Sequence, residues 1–176
     1  MHRLFVALKP PPKMRDALLA LMGGVAHARW QTGDQLHLTL RFIGEVDRHQ
    51  AEDIAAALGA VHHPMFTLSL DGIGQFDRKG RTDALWVGIN PQEPVKLLHN
   101  KIDRALQRVG MAPETRAFLP HITIARFGRN AGDVGRFMES VSVPAVSSEF
   151  SEFCLYESSL GSEGPIYSII ARYPLG

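Results

Sequence analysis

Apolar positions along the chain keep two rhythms, and the switches between them divide it into strands and helices. Leu4 to Leu8 is a continuous apolar run that predicts a short buried strand, and Pro10 to Pro12 then punctuate the entry to a helix. Met14, Leu18, Leu21 and Val25 mark that helix's inner face, and Ile54, Leu58 and Val61 mark a second. Between them, His37 to Gly44 alternates as a strand. Phe66 to Phe76 returns to strand character, and the turn-rich Asp77 to Asp83 separates it from Leu85 to Ile89 as in a hairpin. Val95, Leu98, Ile102, Leu106 and Val109 form a third helical stripe, and His121 to Gly128 a further strand. Val134, Phe137, Met138 and Val141 predict a last helix, and two more strands close the chain.

The order of these elements repeats. His37 and His121 lie 84 residues apart, and the same shift sets Gly44 on Gly128, Phe66 on Phe150 and Leu4 to Leu8 near Leu85 to Ile89. Beyond the two His strands the match needs a bulge or a one-residue insertion. Short turns between strands favour an α+β fold over a doubly wound parallel sheet: two pseudo-symmetric lobes of largely antiparallel sheet, helices outside and a groove between them. Residues 1–176 are expected to form a single bilobal domain built by internal duplication.

The two His strands read HLTLRFIG and HITIARFG. Strand alternation puts His37 with Thr39 on one face and Leu38 with Leu40 on the other, and does the same for His121 and Thr123 against Ile122 and Ile124. Chance placement would give about 0.3 His-x-Thr triplets in such a chain, so one copy carries little weight. Two copies at equivalent places in a repeat carry much more. A ring with an ordinary pKa of about 6.5 is populated in both protonation states near neutrality, so two facing imidazoles suit phosphodiester cleavage by a paired acid and base. The Thr hydroxyls would hold non-bridging phosphate oxygens.

Composition narrows the choice of partner. A net charge of +1 over 176 residues excludes a strongly basic body that wraps long duplexes, so any nucleic-acid contact is local. Arg supplies 14 of the 19 basic residues, which suits bidentate phosphate recognition but equally follows from coding bias. The single Cys154 cannot form an internal disulfide and reads as packing between Phe153 and Leu155, in a reducing compartment. The run at Leu4 to Leu8 is too short for a signal-peptide core or a membrane span, so a cytoplasmic protein is expected.

No His-Glu-x-x-His run or cysteine pair is present, and neither His strand carries a carboxylate, so no metal and no cofactor is expected. His49, His62 and His63 could be drawn into a metal cluster, but they read better as solvated helix-end residues. Gly72 and Gly74 lack the third glycine and following helix of a nucleotide loop and read as strand or bulge glycines. Phe42, Phe127, Trp30 and Tyr156 read as core.

HLTL at 37–40 and HITI at 121–124 resemble the paired signatures of the two-histidine phosphoesterase superfamily. The similarity is strongest to its LigT-like branch, the RNA 2′,3′-cyclic phosphodiesterases once named 2′-5′ RNA ligases. It extends to LFVALKP near the start, Trp30, the FIGEV continuation and FLPHITIAR, covering nearly the whole chain. The resemblance implies metal-independent opening of a terminal 2′,3′-cyclic phosphate to a 2′-phosphomonoester, with His121 as general base toward water and His37 as the acid protonating the departing 3′ oxygen. It also places a phosphate-binding Arg where Arg126 stands.

Alternation by itself puts Arg41 on the His37 face and turns Arg126 away from His121, so Arg126 needs a bulge or the strand's end to face inward. The basic turn at Asp77 to Thr82 is a further candidate for touching an RNA backbone. Expected partners are RNA 3′ ends or small cyclic-phosphate nucleotides, without a membrane. The two half-repeats satisfy each other within one chain, so a monomer is expected. Three rival uses of the same groove are a non-catalytic nucleotide or RNA-end module, a phosphodiesterase for a small cyclic metabolite, and the reverse 2′-5′ ligation.

Overall fold

Leu38, Leu40, Ile122 and Ile124 are buried on one side of their strands, while His37, Thr39, His121 and Thr123 stay partly accessible on the other. That division runs through the whole sheet. The computed structural model describes residues 1–130 and 133–176. Among these lie strands β1 (His2–Leu8), β2 (Ala28–Trp30), β3 (Leu38–Val46), β4 (Phe66–Arg78), β5 (Arg81–Asn90), β6 (Ile122–Phe127), β7 (Ser147–Phe150), β8 (Glu152–Gly161) and β9 (Gly164–Pro174). The helices are α1 (Pro12–Ala20), α2 (Arg48–Leu58), α3 (Glu93–Arg108) and α4 (Gly135–Ser140).

All strands join one curled antiparallel sheet in the order β7-β4-β5-β6-β3-β1-β8-β9, with β2 added along β6. The fold is α+β, as the alternation of strand and helix patterns predicts. At the middle stand the two His strands, joined by a single Cα pair, Leu38 to Ile122. Outward from that seam the order is β6-β5-β4 on one side and β3-β1-β8 on the other. Each lobe thus borrows its third strand from the opposite half of the sequence. Phe66 and Phe150, superposed by the 84-residue shift, are in fact direct partners across β4 and β7.

The helices cover one face. Met14 and Leu18 of α1, Ile54 and Leu58 of α2, and Val95, Leu98, Ile102 and Leu106 of α3 bury against Leu4, Val6, Leu38, Leu85, Val87 and Ile122. Full burial of such side chains contributes about 1.5–3 kcal/mol each. Asp47 and Gln50 form a reciprocal capping box that starts α2 directly after β3.

Several predicted boundaries shift. Leu21 and Val25 lie past the end of α1, Val61 past α2, Val109 past α3, and Val134 and Val141 just outside α4. Each packs against the core from a turn or loop, so apolar contact outlasts the helical backbone. β4 runs on to Arg78 and β5 starts at Arg81, so the connection is the two-residue turn Lys79-Gly80, where both φ values are positive as a type I′ hairpin requires. Gly72, with φ +74°, sits where the β4–β5 register slips, a bulge glycine as read from sequence. β2 is too short to show a period, and three strands rather than two close the chain.

Candidate active site

On the face opposite the helices, the seam pair Leu38–Ile122 sets the register of the two His-x-Thr stretches. Antiparallel pairing at that point brings Thr39 toward His121 and His37 toward Thr123. Each imidazole is therefore neighboured by the hydroxyl of the other lobe. A cavity of about 400 Å³ is lined jointly by Thr39 and Arg41 of one strand, by His121 at the start of the other, and by Phe76, Phe118 and Leu119.

Both rings are oriented by the same local device. His37 Nδ1 donates to the carbonyl of Gln35 at 2.7 Å, and His121 Nδ1 donates to the carbonyl of Leu119 at 2.6 Å. A backbone carbonyl only accepts, so Nδ1 carries the proton and Nε2 of the neutral ring keeps its lone pair for the groove. Aromatic walls hold the rings in place. His37 packs at 4.9 Å from Phe5 and 5.1 Å from Tyr167, and Phe5 in turn stacks on Tyr156. His121 meets Phe76 edge-on at 4.9 Å and Trp86 at 5.9 Å.

Burial among these rings pushes the His37 pKa down to about 4, with Arg126 and His121 adding to the depression and the Gln35 carbonyl opposing it. Burial likewise lowers His121, with Arg126 adding to the effect against the Leu119 carbonyl. In the free protein both rings are neutral at neutral pH.

Both His strands carry a bulge at the third residue after the His. In β3 the register slips between the partners of Val6 and Ala7, leaving Leu40 unpaired, and in β6 it slips between the partners of Leu85 and Trp86, leaving Ile124 unpaired. The freed carbonyls are satisfied from outside the ladder. His99 Nδ1 of α3 donates to Leu40 O at 2.5 Å, and the Gln31 backbone N–H donates to Ile124 O at 2.9 Å. His99 also stacks on Phe118, a wall of the cavity, at 4.1 Å.

A bulge reverses the alternation beyond it. In β6, Ile124 and Ala125 are both buried, and Arg126 returns to the side of Thr123. Arg126 thus faces the groove, consistent with its electrostatic action on both imidazoles. In β3 the same reversal puts Arg41 opposite Val6, while it still borders the cavity it shares with Thr39 and His121. Its Nε pairs with Asp103 at 2.8 Å and the Nη atoms donate to the carbonyls of Phe42 and Ala112. Its donors serve the fold, and Phe42 holds the place in β3 that Arg126 holds in β6.

Other candidates resolve plainly. Cys154 is buried beside Phe5, Ala7 and Tyr156, where burial and then Glu152 push its thiol up to about 12, an inert packing group. Phe127 is core as expected, whereas Phe42 and Tyr156 belong to the cluster around His37 rather than to the main core. His62 is exposed, but His63 is not solvated as expected: it is buried against Phe66 with Nδ1 3.0 Å from Lys101 Nζ, and burial lowers its pKa. Among the described residues no three His, Cys, Asp or Glu side chains converge as metal ligands.

The sequence pattern did not single out Phe5, Phe76, Trp86, His99 or Tyr167. Gly74 explains one of them: a Cβ there would lie 2.2 Å from Trp86 Cζ2, so only glycine lets the indole lie flat across β4 beside His121.

A curled sheet presenting two His-x-Thr strands on one face defines a two-histidine phosphoesterase architecture, and residues 10–161 match the 2′-5′ RNA ligase superfamily. The chain belongs to that family. A relative from Aeropyrum pernix, an RNA 2′,3′-cyclic phosphodiesterase, is 33% identical over 89% of this chain and 94% of its own length. One from Escherichia coli with the same name is 30% identical over 99% and 97%. The solved structure of E. coli LigT complexed with 3′-AMP superposes with a TM-score of 0.80 at 30% identity, covering 99% of this chain and 98% of that one.

Proposed function

We propose that the chain is an RNA 2′,3′-cyclic phosphodiesterase that leaves a 2′-phosphomonoester by metal-independent acid–base catalysis between His121 and His37. The paired Nδ1–carbonyl hydrogen bonds carry this reading, because they leave both Nε2 atoms to the groove. His121, neutral with its Nε2 lone pair free, takes a proton from water as the oxygen bonds to phosphorus. The P–O3′ bond breaks, and the departing 3′ oxygen receives the Nε2 proton of His37. His37 must be an imidazolium for that step, since its Nδ1 proton stays with Gln35.

Burial depresses the His37 pKa in the free protein, and an anionic phosphodiester bound beside a desolvated ring opposes that depression. Substrate binding thus charges its own acid. Arg126, with the hydroxyls of Thr39 and Thr123, is set to hold the non-bridging oxygens as negative charge builds. Support from relatives comes from their shared name, and from the nucleotide held by E. coli LigT.

The substrate is an RNA 3′ end or a small nucleotide bearing the cyclic phosphate, and one chain suffices for the site. Among the described residues no helix is long and apolar enough to cross a membrane. An oligoribonucleotide ending in a 2′,3′-cyclic phosphate, incubated with the protein in excess chelator, is expected to end in a 2′-phosphate and a free 3′ hydroxyl. Unchanged ends would favour a binding module, a 3′-phosphate would refute the assigned leaving oxygen, and turnover only with added metal would refute the mechanism.

A further inference from the structure

The charged groups of this nearly neutral chain are unevenly placed around the groove. In β4, Gly74, Phe76 and Arg78 follow one another on the His121 face, and Arg78 stands directly opposite Arg81 of β5. In β2, Arg29 stands directly opposite Arg126 of β6 and so shares its face. Like charges set opposite each other across a ladder are destabilising, and here two Arg–Arg pairs occupy neighbouring strands. Among the described residues none of Arg29, Arg78, Lys79, Arg81, Arg126 and Arg129 is held in an ion pair.

Around the hairpin tip the same residues enclose a second hollow of about 290 Å³, lined by Arg78, Lys79, Arg81, Thr82 and Arg129, with Asp83 the acidic group at its wall. Arg81 donates to the Arg129 carbonyl at 2.7 Å, which ties the hairpin to the end of β6. From Thr123 to Arg129 the chain extends at most about 20 Å. The basic hollow therefore lies within about 20 Å of Thr123 along β6.

We propose that this flank, Arg29, Arg78, Lys79, Arg81 and Arg129 around Arg126, binds the backbone phosphates of an RNA strand on the 5′ side of its cyclic end. The inference rests on the cyclic phosphodiesterase reading and adds that the preferred substrate is a polynucleotide. A terminal nucleotide held by the two His and Arg126 has its next phosphate 5′ of the ribose, on the side where Arg29, Arg78, Arg81 and Arg129 stand without an ion pair among the described residues. Uncompensated like charge is then relieved by the ligand. An acidic peptide would meet the same charge but offers no cyclic phosphate to the imidazoles.

The test pairs binding with turnover. Fluorescence anisotropy follows a short oligoribonucleotide carrying a terminal 2′-phosphate, against salt, for the parent protein, for Arg78→Gln with Lys79→Asn, and for Arg29→Gln. Asn suits the left-handed backbone at Lys79, and Arg29 lies on a different element, so a folding defect in one variant does not decide the outcome. Each variant is expected to bind the oligonucleotide roughly tenfold more weakly, with the salt slope shallower by about 0.7 for each cation removed. Turnover of the same oligonucleotide with a cyclic end should fall in parallel, while that of a nucleoside 2′,3′-cyclic phosphate changes less, so the preference for the longer substrate shrinks. Unchanged oligonucleotide affinity, or equal losses on both substrates, would overturn the proposal. Failure of the parent protein to open either cyclic phosphate would instead refute the underlying activity, and the anisotropy would still decide the flank.

Discussion

Leu38 and Ile122 are direct partners, and they form the single Cα pair that joins the two His strands. Their side chains point into the helix-covered core, so the residues on either side of each must face the groove. One buried contact thereby fixes four groove residues, and it crosses the His of each lobe with the Thr of the other.

The depressed imidazoles imply an acid-shifted rate profile. The productive free protein carries a proton on His37 and none on His121, and that form is most populated between about 4 and the lowered value of His121, below 6.5. The pH profile of kcat/KM should therefore peak on the acid side of 6.5. Bound phosphate raises the imidazolium pKa, so the kcat profile should lie to higher pH. Coincident profiles centred above pH 7 would contradict this account of His37.

The same shift links to stability. The unfolded chain protonates His37 near its ordinary 6.5, the folded chain only near 4, so stability should fall as pH drops through that window. His37→Asn should flatten the loss, measured by urea unfolding at pH 4.5, 5.5 and 7, values chosen to bracket roughly that window. An unchanged pH dependence would show that the ring is not held neutral.

Gly74→Ala places a methyl against the Trp86 ring. Something must shift, and the indole that braces His121 is the nearest group to do so. We expect kcat to fall by about tenfold or more, since small misplacement of a catalytic group is costly, with a modest loss of thermal stability. Wild-type kcat would mean that the Trp86 wall does not position His121.

His99 supports the site from the helix side. Replacing it by Phe keeps the stack on Phe118 but leaves the Leu40 carbonyl without its donor, at a cost of about 1–3 kcal/mol. Denaturant unfolding measures that cost. A loss under about 0.5 kcal/mol would mean that the β3 bulge does not depend on His99.

Much of this site is legible in the sequence because alternation is a short-range rule. His37, Thr39, His121 and Thr123 lie within three residues of each other in their strands, before any bulge intervenes. Arg41 and Arg126 lie beyond the bulges at Leu40 and Ile124, and there the parity count no longer gives the face. The adjacent apolar pair Ile124-Ala125 is the only local trace of the slip. The aromatic walls were hidden for a different reason: Phe5, Phe76, Trp86 and Tyr167 reach the imidazoles through strand neighbours far apart in the chain, and period alone does not reveal which strands pair. The borrowed strands β4 and β8 equally leave no mark on a repeat seen as a simple shift of 84 residues.

The central claim is that His37 and His121 act as one acid–base unit across the Leu38–Ile122 seam. Single-turnover opening of a cyclic-phosphate oligonucleotide, compared among the parent, His37→Ala, His121→Ala and the double variant, tests it most directly. Each single variant should lose about 10² to 10⁴ in rate, and the double variant should be little slower than the worse single one. Losses that multiply, or one single variant with near-parent activity, would show that the two imidazoles do not work together.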